Sequence, residues 1–330
     1  MRDTILTKDL QIGMYVLLPA SWPKPPFLGH KFKISSQEEI VKIINYGLAT
    51  VVIDTTKGIS PTLAPKPAEA PVSVPPKTWE PEKLVPPELR EAIHNKKLAP
   101  EKKSKIVYQC SLQLMGRLLD DPRTENIREA KAGIAEMVDL IIADDATSAA
   151  LLKITSYDYY TYTHSVNVGF YSVLLAKELF KGSAAHNMHE LGAGFFLHDI
   201  GKVRIDPAII NKPGKLTEDE MTVIRTHPGQ GYQLLAETKQ LTEECKIIVL
   251  QHHERQDGSG YPQKLTGDEI HIYGRICCIA DVYDALTAER SYKKRMDTFS
   301  ALKLMKEQLL NHFNQELFEK FVMLFARARI

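Results

Sequence analysis

The chain has 330 residues, 44% of them hydrophobic and 25% charged, the balance of a globular protein with enough length for one large domain or two modest ones. A formal net charge of +1 creates no strong global field, which excludes coating a nucleic-acid polymer or lying on a membrane by charge alone. Any recognition of phosphate must therefore be local.

Along the chain, MRDTILTKDL places charges where a secretory leader needs an apolar run, and no apolar segment is long enough to span a bilayer. A cytoplasmic protein is expected. The runs MYVLL (residues 14–18) and ATVVID (residues 49–54) are β-rich. Between them, SSQEEIVKIINYG offers a cap at Ser35 or Ser36, apolar Ile40, Ile43 and Ile44, and a stopping Gly47. Residues 1–60 thus predict a small α+β unit with a β-α-β-like core. Repeated proline makes 61–90 a linker biased toward extended conformations.

Beyond the linker the pattern is helical: 91–127 predicts a connecting helix and 128–330 an all-helical domain. Apolar residues recur at helical spacing through Ile106, Val107, Leu112, Leu114, Met115, Leu118 and Leu119, and again behind His164 at Val166, Phe170, Val173 and Leu174. Thr217 with Glu220 three residues later is a capping box that starts a helix toward His227, and Thr242 caps the helix that delivers His252 and His253. Cys110, Cys245, Cys277 and Cys278 lack the spacing of a disulfide framework or a thiolate zinc site, so they are expected as buried thiols.

Five histidines fall in polar, loop-flanked motifs: YTHS at His164, HDIGK at His198, THPGQG at His227 and HHERQDGSGYP at His252 and His253. IADVYDALTAER adds Asp281. Imidazole and carboxylate suit borderline divalent metals. Neighbouring side chains on a helix diverge by about 100°, so the adjacent pairs His198-Asp199 and His252-His253 suit a helix end or two ions rather than one ion in mid-helix. Asp199, with two oxygens, is the natural bridge. The expected partition gives one ion His164, His198, Asp199 and Asp281, and the other Asp199, His227, His252 and His253. Two ions so placed activate water and neutralise charge in phosphoester hydrolysis. Lys202, three residues after Asp199, and Arg290 with Lys293, three apart, supply candidate phosphate contacts.

Other features have plainer readings. His30, His94, His186, His189, His271 and His312 read as core or surface histidines. Lys294 and Arg295 read as a solvated face, and the cluster Tyr157, Tyr159, Tyr160 and Tyr162 as packing at a helix start.

On HDIGK (198–202), HHERQDGSGYP (252–262) and DVYDALTAERSYK (281–293), the chain from about residue 128 onward resembles an HD-GYP domain, a subgroup of the HD phosphohydrolase superfamily. The resemblance implies an all-helical domain with two or three metal ions, commonly iron or manganese with nickel or zinc as alternatives. It also implies hydrolysis of cyclic di-GMP to pGpG and on to GMP in bacterial second-messenger signalling. Carried over by motif, the metal ligands fall on His164, His198, Asp199, His227, His252, His253 and Asp281, and the phosphate contacts on Lys202, Arg290 and Lys293. Asp199 and Lys202 are the expected catalytic pair. Gly260, Tyr261 and Pro262 form the signature tripeptide, a loop over the site in which glycine supplies a special backbone angle and Tyr261 faces substrate. Family members with three metals resemble one another in a glutamate four residues before the first histidine; Tyr160 stands there, which argues against a third ion. The N-terminal segment, with DLQIGMYV and PFLGHKF, is similar to a small uncharacterised unit found ahead of such domains. It is expected to serve regulation or partner binding, diguanylate cyclases or other signalling proteins being candidates, with monomer and homodimer both open. Two other readings stand beside the enzyme: a non-hydrolytic cyclic-dinucleotide sensor, and a phosphohydrolase of another nucleotide such as cyclic GMP-AMP.

Overall fold

The structure is a computed structural model that describes residues 2–7, 10–18, 31–36, 39–40, 43, 50–59, 84–154, 161–212, 214–288 and 295–328. The chain divides into two compact units, Met1–Trp79 and Glu80–Ile330.

The first unit is a four-stranded sheet of β1 (Arg2–Leu6), β2 (Tyr15–Leu17), β3 (Lys31–Lys33) and β4 (Thr50–Asp54), in the order β1-β4-β2-β3. β2 lies antiparallel to β4 with Val16 opposite Ile53. Because side chains alternate across a strand, Val16, Val51 and Ile53 reach one buried face, where Met14, Ile34, Ile40 and Ile43 close the core. The β-α-β-like expectation is corrected in its strand content. Its two runs are β2 and β4, but β1 and β3 flank them. β3, a Phe32 between two exposed lysines, is too short to show a period and exists because its backbone pairs with β2.

The second unit is built of helices: α1 (Pro87–His94), α2 (Pro100–Asp120), α3 (Thr124–Ala143), α4 (Asp145–Ile154), α5 (Thr161–Leu179), α6 (Met188–Leu197), α7 (Pro207–Ile210), α8 (Glu218–Ile224), α9 (His227–Glu237), α10 (Glu243–Gln251), α11 (Ile272–Thr287), α12 (Thr298–Gln308) and α13 (Gln315–Ala328). Two boundaries differ from expectation. Residues 84–90 do not continue the proline linker: Leu84, Val85 and Leu89 are buried in the helical core, and Pro87 sits in the first turn of α1, where a missing N–H costs nothing. Residues 91–127 are not one connecting helix but the end of α1, α2 and the start of α3, and Val107, Tyr108, Leu114 and Leu118 belong to the same core.

α5 organises this unit. Its residues from Thr163 to Ala176 are buried on every side, the pattern of a helix surrounded by others, and it packs against α2, α6 and α11. The cap at Thr242 and the capping box at Thr217 form as expected. The four cysteines are buried and unpaired, and burial pushes the Cys278 thiol up to about 12. Among the described residues, no helix is long and apolar enough to cross a membrane.

Candidate metal centre

Helix ends and one central helix bring the motif residues together. His164 lies in the first turns of α5, His198 and Asp199 follow the last residue of α6, His227 opens α9, His252 and His253 follow α10, and Asp281 lies in mid-α11. Potential ligand atoms of Asp199, His227, His252 and His253 all lie within 4.8 Å of one another, as do those of His164, His198 and Asp281. The two groups together hold the seven expected side chains, with Asp199 in the first group and not in the second.

Three of the histidines solve the same local problem. The last carbonyls of a helix lack intrahelical donors. His198 Nδ1 lies 2.9 Å from Phe195 O, His227 Nδ1 2.8 Å from Ile224 O, and His252 Nδ1 2.9 Å from Val249 O. A carbonyl only accepts, so each Nδ1 carries the hydrogen and each Nε2 is left as a bare lone pair. His164 reaches the same state through a carboxylate, with Nδ1 2.7 Å from Asp284 Oδ2.

Those lone pairs point at one another. His198 Nε2 and His164 Nε2 are 3.3 Å apart, and His227 Nε2 and His252 Nε2 3.1 Å. Asp199 stands between the two sets. Its Oδ2 is 3.3 Å from His164 Nε2 and 3.5 Å from His198 Nε2; its Oδ1 is 3.1 Å from His227 Nε2 and 3.8 Å from His252 Nε2. Oδ1 is buried and satisfied by no hydrogen bond. Asp281 Oδ1 adds a contact to His164 Nε2 at 3.1 Å, and its Oδ2 one to His253 Nδ1 at 3.3 Å. A buried acceptor facing other acceptors is costly, and cations between them remove the cost. The nitrogen and oxygen donors, without a thiolate, fit divalent metal ions.

The charge states agree. Burial pushes Asp199 up, but the charges around it, the Lys202 ammonium first among them, hold the carboxyl well below the usual carboxylate range. Burial likewise opposes ionisation of Asp281, yet beside His164 and His253 its carboxyl is held well below the usual carboxylate range. Burial holds His227 and His252 below the ordinary histidine range against the pull of Asp199. Burial, then the neighbouring His252, brings His253 down to about 3. Neutral imidazoles around ionised carboxylates form the protonation state a metal site requires.

Of the expected phosphate contacts, Lys202 reaches the centre, its Nζ 2.5 Å from Asp199 Oδ2. Arg290, Lys293 and Tyr160 lie outside the described residues. Tyr261 leans on the centre, its ring 4.6 Å from that of His253, with Arg225 over it at 5.9 Å. Gly260 is needed for close approach rather than for a special backbone angle, a correction to the sequence reading: a Cβ there would stand 2.5 Å from both His253 O and Arg255 N. Gly201 of HDIGK is similar, since its Cβ would stand 2.0 Å from His227 O and 2.4 Å from Gly231 N. That contact lets the segment after Asp199 rest on the start of α9.

Sequence reasoning missed four supporting residues. Asp284 holds His164, and Asn167 and Tyr108 stand behind it. Glu254 is buried and accepts from the backbone N–H groups of Gln263 at 2.6 Å, Lys264 at 3.1 Å and Leu265 at 2.9 Å, fixing the loop that carries Tyr261. A signal existed for two of them: Asn167 lies three residues after His164 and Asp284 three after Asp281, the spacing of side chains on one helix face.

Comparison with known proteins gives a consistent picture. The family described as HD domain matches residues 176–317, and the one described as a domain of unknown function (DUF3391) matches residues 3–142. The chain is 31% identical over 327 residues to the cyclic di-GMP phosphodiesterase PA4108 of Pseudomonas aeruginosa, covering 98% of this chain and 76% of that protein. It is 36% identical over 226 residues to the cyclic di-GMP phosphodiesterase response regulator RpfG of Xanthomonas campestris, covering 68% of this chain and 55% of that protein. A shorter match, 44% identical over 124 residues, is to the 3'3'-cGAMP-specific phosphodiesterase 2 of Vibrio cholerae, covering 37% of this chain and 24% of that protein. The solved structure of Bd1817, an HDG"Y"P protein from Bdellovibrio bacteriovorus, superposes with a TM-score of 0.62 at 16% identity, covering 99% of this chain and all of that one; it shares the fold.

Proposed function

This chain belongs to the HD-GYP family of cyclic di-GMP phosphodiesterases, and on that premise we propose that its His and Asp centre hydrolyses cyclic di-GMP to pGpG, and on to GMP, with two divalent metal ions. The observation that carries the reading is Asp199, whose two buried oxygens each face a separate set of imidazole lone pairs. In this reading His164, His198, Asp199 and Asp281 would hold one ion and Asp199, His227, His252 and His253 the other, iron or manganese being the ions that the family resemblance implies. When bound, such ions supply the Lewis acidity and the activated water of phosphodiester hydrolysis.

The chain's own groups supply the rest. Asp199 stays ionised in a buried setting because Lys202 stands beside it. Lys202, half-buried at the edge of the centre, offers its ammonium to a phosphate oxygen as charge builds. Tyr261 and Gly260 form a wall beside His253, and Arg290 and Lys293 complete the phosphate contacts. The exclusion of water by the surrounding core strengthens each of these interactions. The N-terminal unit serves regulation or partner binding, and the enzyme works in the cytoplasm, where a bacterial second messenger is its substrate.

The test is product analysis by chromatography after incubating the iron- or manganese-loaded chain with cyclic di-GMP. Turnover to pGpG that is abolished in Asp199→Ala is the expected result. Binding without turnover in iron, manganese and nickel would reject the enzyme and favour a sensor. The match to a 3'3'-cGAMP-specific relative makes cyclic GMP-AMP the second substrate for the same assay, and faster turnover of it would reassign the base specificity.

A further inference from the structure

Behind the centre runs a buried chain of hydrogen bonds that the hydrolytic chemistry does not itself use. Asp284 Oδ2 lies 2.7 Å from His164 Nδ1, Asn167 Nδ2 donates to Asp284 Oδ1 at 2.7 Å, and the Tyr108 hydroxyl donates to Asn167 Oδ1 at 2.7 Å. Each of the four residues is nearly inaccessible, at 2% for His164 and 1% for Asp284, Asn167 and Tyr108. They come from three helices: Tyr108 from α2, His164 and Asn167 from α5, and Asp284 from α11.

The polarity of the chain is fixed from one end. A carboxylate only accepts, so both groups touching Asp284 must donate. Asn167 therefore turns its amide nitrogen to Asp284 and its oxygen outward, and that oxygen takes the Tyr108 hydroxyl. His164 must carry its hydrogen on Nδ1. The opposite tautomer would set a lone pair against Asp284 and drive an N–H toward Asp281 and Asp199, where a ligand lone pair is needed. A carboxylate buried this deeply is retained at a desolvation cost, and in a dry setting the successive bonds polarise one another.

We propose that Asp284, Asn167 and Tyr108 form a positioning relay that keeps His164 in its ligating tautomer, and that α2 thereby sets the metal affinity of the centre. Tyr108 lies outside the span that matches the HD domain family and inside the span that matches the domain of unknown function. Part of that N-terminal family segment thus acts on the centre from within the helical core. The inference rests on the metal-centre reading and is independent of which nucleotide is the substrate.

The test titrates chelator-stripped, full-length native protein and the variants Asp284→Asn, Asp284→Ala and Tyr108→Phe with Mn²⁺, following free Mn²⁺ by electron paramagnetic resonance. In parallel, ¹⁵N-histidine spectra of the metal-free proteins report the His164 tautomer. Loss of a partner behind a ligating histidine weakens metal binding by about 10- to 100-fold, expected for the Asp284 variants, with a smaller loss in the same direction for Tyr108→Phe. The His164 nitrogen pattern shifts with both while circular dichroism stays native. Tyr108→Phe keeps the ring and its packing on Phe170, so it remains informative if the Asp284 variants do not fold. Folded variants that bind Mn²⁺ as tightly as the native chain, with an unchanged His164 pattern, overturn the relay. A native chain that binds no Mn²⁺ overturns the metal centre itself and the relay with it.

Discussion

Lys202 Nζ stands 2.5 Å from Asp199 Oδ2, an ion pair across three residues in which the carboxylate is 1% exposed and the lysine side chain 15%. The pair joins a buried candidate ligand to a partly exposed cation. In Lys202→Met, the ammonium proposed to meet a phosphate oxygen is lost while the seven candidate ligand side chains remain. The rate constant kcat per bound metal ion with cyclic di-GMP is expected to fall about 10²-fold, and metal content by elemental analysis to fall as well, because the ammonium that keeps Asp199 ionised is gone. An undiminished kcat shows that Lys202 serves packing alone.

Gly201→Ala tests the close approach between the segment after Asp199 and α9. The new methyl would meet His227 O and Gly231 N, both backbone atoms that cannot swing aside. A loss of about 1–3 kcal/mol in a denaturant titration is expected, with weaker metal binding because His227 must shift with its backbone. Native stability in this variant contradicts the geometry.

Glu254→Gln tests the loop clamp. Three backbone N–H groups converge on this buried carboxylate, and an amide turns one of its ends into a donor that opposes them. An unsatisfied buried group costs about 1–3 kcal/mol, so amide exchange at Gln263, Lys264 and Leu265 should quicken by roughly tenfold or more. The KM for cyclic di-GMP should rise more than kcat falls, because Tyr261 rides on this loop. Unchanged exchange at those three amides disproves the clamp.

Asp144 offers a pH test remote from the centre. It caps α4, accepting from Thr147 N at 2.9 Å and from the Thr147 hydroxyl at 2.7 Å, with Lys103 at 3.2 Å. Burial raises its pKa, but the Thr147 bonds and Lys103 bring it below the usual aspartate range. A carboxyl depressed in the folded state contributes stability above its unfolded pKa and loses it as pH falls through the folded value. Asp144→Ala should cost about 1 kcal/mol near neutral pH. In thermal melts the gap between native and variant should hold down to about pH 5 and then close below pH 4. A gap that widens on acidification shows the sign to be wrong.

The centre was legible because imidazole and carboxylate are donors that suit borderline divalent ions and because adjacent candidates such as His198-Asp199 and His252-His253 declare a helix end. Much of its support was not. Glu254 binds backbone N–H groups nine to eleven residues away, and any residue can offer an N–H. Asn167 and Asp284 did carry a signal in their spacing from His164 and Asp281. At Pro86 and Pro87 the linker reading failed because proline both interrupts helices and begins them. Strand β3 gave too little signal, its three residues holding a single alternation.

The candidate ligand side chains come from α5, α9, α11 and the ends of α6 and α10, segments that meet only when the helical core is complete. An unfolded chain has no such arrangement, so a cation that binds the native form draws the folding equilibrium toward it. At a free cation concentration of a hundred times Kd, this linkage is worth about 2.7 kcal/mol. With the proposed ions bound, the same atoms that would catalyse would also act as a fastening, and how much folded protein a cell contains would follow its metal supply as well as its gene expression.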